Sequence, residues 1–313
     1  MQNLGFSTYL IDLFDLSFQE RTGSYFILDN DVTIIETSAS PSHEHLLKGL
    51  KELQIPFERI KNIIVTHIHL DHSGGAGLLM EKCPNATLFV HPKGAPHLED
   101  PTKLIASAKQ VYGDDFDRLF NPILPIQASR IRQVEDGEEL QLSKNRILTF
   151  LYTPGHAKHH ISIFDSASKF MYTGDTLGIY YPQLQNEIGT YILPSTSPNQ
   201  FSYESTLNSL RKIQEFNPDA ICFGHYGLSS NTQFIFESLI TKLDRFMNAA
   251  TRIINENQGQ SFNEKSKLLS TTLYNEVKQE LQSRKISDTH PVYKIIKLDL
   301  EVSAMGLIFS LDR

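Results

Sequence analysis

The chemistry of this chain gathers in Thr66-His67-Ile68-His69-Leu70-Asp71-His72-Ser73-Gly74-Gly75. Three imidazoles and one carboxylate fall within the six residues from His67 to His72. These nitrogen and oxygen donors are what divalent metal ions take as ligands. Loops do carry histidines by chance, but three with an aspartate at this spacing make chance a poor explanation. The apolar, β-branched Asn62-Ile63-Ile64-Val65 comes directly before and reads as a strand buried on both faces. Two glycines follow, and Ala76–Glu81 then reads as the first turns of a helix. The cluster therefore sits in a strand-to-helix loop at the carboxyl end of a strand, where open α/β sheets place their ligands.

The same arrangement returns downstream. Ile147–Tyr152 runs into Thr153-Pro154-Gly155-His156, Phe170–Thr173 into Gly174-Asp175, and Ala220–Phe223 into Gly224-His225. Each apolar stretch reads as a strand that delivers an imidazole or carboxylate at its carboxyl end. The glycine before each donor lets the backbone turn sharply and approach a bound ion. If these strands share one core, their ends can converge on one metal site.

Around these motifs the chain reads as alternating strands and helices. Residues 6–14, 24–28 and 32–36 are expected as strands, the last two around the turn Asp29-Asn30-Asp31. Ser42–Leu53 has helical apolar spacing with Ser42 as its N-cap. Thr87–Val90 is a further strand, and helical pieces are expected over 102–111 and 114–120. Ile131–Leu142 reads as two short strands forming a hairpin around Asp136-Gly137. Beyond residue 230 the texture changes to amphipathic helices over 234–255, 263–283 and 292–311. The expected division is a metal-binding α/β domain over 1–230 and a helical extension over 231–313 packed on it.

Composition narrows the function. The net charge of −7 comes without a clustered Lys/Arg footprint, which argues against a nucleic-acid partner. Two cysteines far apart, Cys83 and Cys222, exclude a disulfide framework and a thiolate metal cage. No apolar run nears the roughly 20 residues of a membrane span, and the first residues carry no basic, then apolar, secretory pattern. The expectation is a soluble, cytoplasmic protein acting on a small molecule, with no membrane partner and with homodimer formation left open.

Other residues carry weaker signals. His159 and His160 follow His156 closely, and His160 could donate to a ligand. Tyr180, Tyr181 and Tyr226 lie just beyond proposed ligands, where aromatic rings could line a substrate pocket or supply a phenolic donor. His43, His45 and His290 read as solvated surface residues, and Cys222 as an inert core thiol.

These motifs resemble those of the metallo-β-lactamase superfamily. Its His-x-His-x-Asp-His signature stands here as His67, His69, Asp71 and His72. Its later donors appear as Thr-Pro-Gly-His156, Thr-Gly-Asp175 and Gly-His225. Order and rough spacing agree from about residue 20 to 230, and the helical tail loosely resembles that of the glyoxalase II-like branch. The resemblance implies an αββα sandwich, two stacked mixed sheets with helices outside. It also implies two divalent ions, most readily Zn²⁺, with Fe or Mn admissible. His67, His69 and His156 would hold one, Asp71, His72 and His225 the other, and Asp175 would bridge them. One departure stands out. The family usually ends an early strand with Asp-Thr-Gly, whereas this chain has Glu36-Thr37-Ser38. The family Asp looks like a group that orients loops, and Glu36 could do so with a longer arm.

The implied activity is a dinuclear metallohydrolase that directs a metal-bound hydroxide at a small ester-like substrate: thioester, lactone, phosphodiester or related electrophile. Asp71 would act as ligand and catalytic acid–base group. The first alternative is redox chemistry on the same fold, as in an iron-dependent persulfide dioxygenase. An RNA-processing nuclease ranks lower on charge, and a non-catalytic metal scaffold lower again because the ligand set is complete.

Overall fold

The computed structural model describes residues 1–312 and contains two compact units. The first comprises Met1–Tyr152, His159–Gly174 and Phe216–Leu228. The second comprises Thr153–Lys158, Asp175–Glu215 and the chain from Ser229 onward. It takes in the C-terminal helices, together with two segments that the sequence alone assigns to the first domain.

A seven-stranded sheet runs in order through β1 (Gln2–Gly5), β2 (Thr8–Asp12), β3 (Gly23–Leu28), β4 (Val32–Ile35), β5 (Ile60–Ile64), β6 (Thr87–Val90) and β7 (Ile131–Gln133). Pairing is antiparallel from β1 to β4 and parallel from β4 to β7. A second, six-stranded sheet is built from β8 (Glu139–Ser143), β9 (Arg146–Tyr152), β10 (Ile161–Asp165) and β11 (Phe170–Gly174). The short strands β12 (Ile179–Tyr180) and β13 (Ile192–Leu193) form a separate ribbon, and β14 (Ala220–Phe223) with β15 (Leu228–Ser229) complete the second sheet.

The period-two alternation of the strands divides the core of the first unit into layers. Leu10, Tyr25, Ile27, Ile35, Ile64 and Phe89 of the first sheet meet Phe150, Ile161, Ile163, Tyr172 and Cys222 of the second. Phe89 and Phe150 stack between them at 5.9 Å. Alternate residues such as Phe26, Ile34 and Ile63 point the other way. There they pack on α1 (His43–Glu52), α3 (Ala76–Lys82) and α4 (Ala95–Glu99) through Leu46, Leu50, Leu79, Met80 and Leu98. Between α1 and α3 the histidine-rich loop itself winds into one helical turn, α2 (Leu70–Ser73). The expected helical pieces near 110 are α5 (Thr102–Tyr112) and α6 (Phe116–Phe120).

Three local expectations are corrected. Ile131–Leu142 is not a hairpin: β7 pairs with β6 in the first sheet and β8 with β9 in the second. The Asp136-Gly137 signal marks where the chain turns from one sheet to the other. Ser42 stands at the N-cap position of α1, but it closes the 3₁₀ turn Ser40–Ser42 with helical backbone and its side chain makes no capping bond. His43 is buried rather than solvated, since it opens α1 on the side packed into the core.

The second unit contains α7 (Gln185–Ile188), α8 (Tyr203–Glu215), α9 (Thr232–Glu256), α10 (Phe262–Ser283) and α11 (Val292–Leu311). Ser261 and Glu264 form a capping box at the start of α10. The apolar stripes pack α9, α10 and α11 on one another, through Leu239, Leu243 and Phe246, Leu273 and Val277, and Ile296 and Leu300. Lys242 lies 3.5 Å above the Tyr191 ring and donates to the Ile192 carbonyl at 2.9 Å, tying α9 to β13. No helix among the described residues is long and apolar enough to cross a membrane.

Candidate metal centre

At the carboxyl end of β4 the chain enters Glu36, a non-glycine residue in the left-handed region at φ 71°. Its backbone is fixed from both sides: its N–H donates to the Ile64 carbonyl at 2.9 Å, and its carbonyl accepts from Ser24 Oγ at 2.7 Å. Its side chain is equally engaged. Oε1 accepts the Thr66 N–H at 2.7 Å, and Oε2 lies against His72 Nδ1. The next residue, Thr37, donates both its N–H and its hydroxyl to the His72 carbonyl, at 3.0 and 2.9 Å. Facing a carboxylate, His72 Nδ1 carries a ring proton, and Nε2 is the nitrogen turned toward Asp71.

That Nε2 lies 3.7 Å from Asp71 Oδ2, and His225 Nε2 is the same 3.7 Å from the same oxygen. Asp71, His72 and His225 each offer one donor atom within 4.8 Å of the others. His225 arrives on the loop after β14. Tyr25 braces that loop from the opposite sheet, its hydroxyl 2.7 and 2.8 Å from the Phe223 and Gly227 carbonyls. Gly224 admits the close approach, because a Cβ there would come within 2.7 Å of His72 Cε1. The imidazoles of His72 and His225 are buried, whereas the Asp71 side chain keeps 27% of its surface exposed. Asp71 is thus the member of the group that solvent reaches.

His67 and His69 lie alongside. His67 Nδ1 pairs with Thr66 Oγ1 at 3.0 Å, and its Nε2 is 3.0 Å from His69 Nδ1. The His67 ring centroid is 4.2 Å from that of His72 and 4.9 Å from that of His160, on which it stacks. A Cβ on Gly174, at φ 45°, would lie 2.6 Å from His160 Nε2 and 2.4 Å from Thr66 Oγ1. His159 Nδ1 accepts the Ile68 N–H at 3.4 Å, and its ring stands edge-on to His69. Next to this region the buried Asp15 pairs with Arg21 at 3.1 Å. Burial pushes the Asp15 carboxyl up and Arg21 draws it back, with Asp71 and His225 also close enough to act on it.

In the second unit, His156 Nε2 and Asp175 Oδ2 are 3.6 Å apart. His156 lies on the loop joining β9 to β10, and Asp175 directly follows the last residue of β11. One segment grips both. His156 Nδ1 lies 3.1 Å from the Ser195 carbonyl, Ser195 Oγ donates to Asp175 Oδ2 at 2.9 Å, and Ser197 Oγ donates to the His156 carbonyl. Opposite a carbonyl, too, Nδ1 is the protonated nitrogen, so His156 presents Nε2 as His72 does.

Residues 21–225 match the sequence model of the metallo-β-lactamase superfamily. The chain belongs to the metallo-β-lactamase superfamily. Its sequence is 31% identical over 176 residues to a metallo-β-lactamase-fold protein of Sulfurisphaera tokodaii, covering 55% of this chain and 63% of that one. The chain thus spans less than two thirds of that relative. A hydroxyacylglutathione hydrolase of a Synechococcus strain is 26% identical over 213 residues, covering 64% and 71%. The crystal structure of an archaeal superfamily protein from Sulfolobus tokodaii superposes with a TM-score of 0.66 at 22% identity, over 96% of this chain and 98% of that one. These likenesses bear out the α/β metallo-β-lactamase fold with C-terminal helices.

The donors of this metallo-β-lactamase-fold chain fit a divalent ion. They are imidazole nitrogens and carboxylate oxygens throughout, and the two thiols stay out: burial pushes Cys222 up and Cys83 to about 12. In both His72 and His156 an oxygen holds the second ring nitrogen, as in metal-ligating histidines generally.

The aromatic candidates are buried. The Tyr180 hydroxyl donates to Gln185 Oε1 at 2.7 Å and that of Tyr181 to the buried Asp299 at 2.9 Å, so both phenols are engaged inside the second unit. Tyr226 lies in the first unit at φ 38°, packed against Gly23, and burial pushes its phenol up. The supporting residues Thr37, Thr66, Tyr25, Ser195 and Ser197 have no motif of their own. Only Thr37 and Thr66 sit directly beside residues that the motifs single out.

Proposed function

We propose that the protein is a dinuclear metal-dependent hydrolase of small ester-like molecules. The observation that carries this is the Asp71–His72–His225 group. Its three donor atoms lie within 4.8 Å, and the His72 Nδ1 is held by Glu36 so that Nε2 faces the group. On the order of the superfamily motifs, His67, His69 and His156 would hold one ion and Asp71, His72 and His225 the other, with Asp175 contributing its carboxylate to the pair. Two bound divalent ions would supply a water of lowered pKa and Lewis-acid polarisation of a carbonyl or phosphoryl oxygen. The chain's own residues supply the rest. Asp71 Oδ2, on the solvent-facing side, accepts the proton of the attacking water and later hands it to the leaving group. Zn²⁺ suits the all-nitrogen-and-oxygen set, and Fe or Mn is the alternative. Thioesters come first among the substrate classes because a relative is named as a hydroxyacylglutathione hydrolase. His159 and Tyr226 are proposed as pocket residues.

The test pairs metal analysis of protein purified without added metal with a panel of thioesters, lactones and phosphodiesters. Two zinc equivalents and turnover of one class are expected. One iron equivalent, with oxygen consumption on a persulfide and no hydrolysis, would overturn the proposal in favour of dioxygenase chemistry.

A further inference from the structure

We infer that Glu36 is a positioning residue that dictates which ring nitrogen His72 offers, and that it thereby sets the metal affinity of the Asp71–His72–His225 group separately from the remaining ligands. The inference rests on the reading of that group as a metal site, and it goes beyond it by naming what controls one ion independently of the other.

Glu36 is buried and has no freedom to turn away. Both backbone polar groups are bonded, to Ile64 and Ser24, and both carboxylate oxygens are taken, by the Thr66 N–H and by His72 Nδ1. The left-handed backbone at a non-glycine residue is strained, and this four-way anchoring sustains it. Thr37 pins the other end of His72 through its carbonyl. The two partners of the carboxylate differ in what they can do. Thr66 N–H is a backbone donor and nothing else, whereas an imidazole nitrogen can donate or accept. A carboxylate satisfies both as donors and so places a proton on His72 Nδ1, which makes Nε2 the nitrogen offered toward Asp71 and His225. His67 is held differently. Its Nδ1 pairs with the Thr66 hydroxyl and its Nε2 with His69 Nδ1, and neither partner is a carboxylate. Control by Glu36 is therefore confined to His72. A shorter aspartate, the usual family residue, would have to span the same two partners with one methylene fewer.

Glu36→Gln separates these roles. An amide has a single carbonyl oxygen, and the Thr66 N–H can only be met by that oxygen. The NH₂ group must then face His72 Nδ1, which becomes an acceptor and moves the ring proton to Nε2. The experiment records ¹⁵N–¹H spectra of the His72 ring in metal-free wild type, Glu36→Gln and Glu36→Asp. Zn²⁺ alone is then titrated against a chromophoric chelator. The wild type should show Nδ1–H and the Gln variant Nε2–H. One zinc equivalent should weaken by about 10–100-fold in Glu36→Gln while the other stays within a few-fold. Glu36→Asp should retain the wild-type tautomer with a smaller loss, and it carries the same readouts if the Gln variant does not fold. An unchanged His72 tautomer in Glu36→Gln, or equal weakening of both equivalents, would overturn the inference. Wild type that binds no zinc while its tautomer still answers to Glu36 would overturn the metal reading and the affinity half of this inference, and would leave tautomer control standing.

Discussion

His72 and His156 present the same nitrogen but are held by opposite means. In the first unit a buried carboxylate grips His72, and one substitution can remove that grip. In the second unit the partner of His156 is the backbone carbonyl of Ser195, which no side-chain substitution can take away. A charged partner also raises the basicity of the ring it holds more than a neutral carbonyl does. The two halves of the proposed ligand set should therefore fail differently: the first through Glu36, which is not itself a proposed ligand, the second through His156 and Asp175 themselves or through whatever holds the Ser195 segment in place.

The largest expected effect bears on both halves at once. Chelation should abolish turnover, and adding back Zn²⁺ should restore it. His67→Ala and His156→Ala should each leave close to one metal equivalent, as metal analysis will show. Full activity in a chelated, metal-free sample would remove the common ground of the comparison.

Deletion from Ser229 onward should remove what braces the second half. The segment that grips His156 is braced by α11: Thr196 Oγ1 donates to the Ser303 carbonyl at 2.7 Å, and Ser303 Oγ donates to the Pro194 carbonyl at 3.4 Å. Deletion also strips the partners from the apolar stripes, each fully buried Leu, Ile or Phe being worth roughly 1.5–3 kcal/mol. Aggregated protein is expected in size-exclusion chromatography. A soluble, monomeric truncation with full metal content would show that His156 does not depend on the helices.

The carboxylates should then divide by role. Asp71→Asn keeps size and one oxygen, so much of the metal should stay while turnover falls by about 10²–10⁴, the usual worth of a positioned acid–base group. Asp175→Asn should lose metal as well, because the proposed negative bridge between two cations goes. Metal content and turnover are to be measured on the same preparations. Equal metal loss in the two variants would reduce Asp71 to a ligand, and near-normal turnover in Asp71→Asn would take it out of the mechanism.

What the sequence could reveal follows from how local each feature is. His67, His69, Asp71 and His72 are legible because four donors crowd one loop, and β5 and β14 because β-branched, apolar runs announce buried strands. The three long C-terminal helices are legible from apolar periodicity to within about two residues of their ends. Pairing is not local. Asp136-Gly137 signals a turn, yet nothing in it tells that β7 and β8 belong to different sheets. Burial of His43 depends on what packs over the first turn of α1, and a helix pattern with a polar residue there is silent about it. The grouping of residues 153–158 and 175–215 with the C-terminal helices is likewise a matter of distant contacts. Ser195 is the extreme case: a serine between Pro194 and Thr196 has no sequence mark of its use, because what it gives His156 is a backbone carbonyl.

The smallest effect is the most discriminating, and it concerns that same serine. Ser195→Ala removes the hydroxyl that donates to Asp175 Oδ2 at 2.9 Å but leaves the carbonyl opposite His156 Nδ1 untouched. The lost bond has a charged acceptor, a class worth about 1.5–3 kcal/mol when both partners are buried. Ser195 is only partly buried, so water can replace part of it, and about tenfold or less in zinc affinity is expected. The His156 tautomer, read from its ring ¹⁵N shifts, should not move at all. Glu36→Gln, by contrast, should move the His72 tautomer. If Ser195→Ala shifted the His156 tautomer, the backbone carbonyl would not be what holds that ring. The proposed asymmetry between the two histidines would then collapse into two side-chain grips of the same kind.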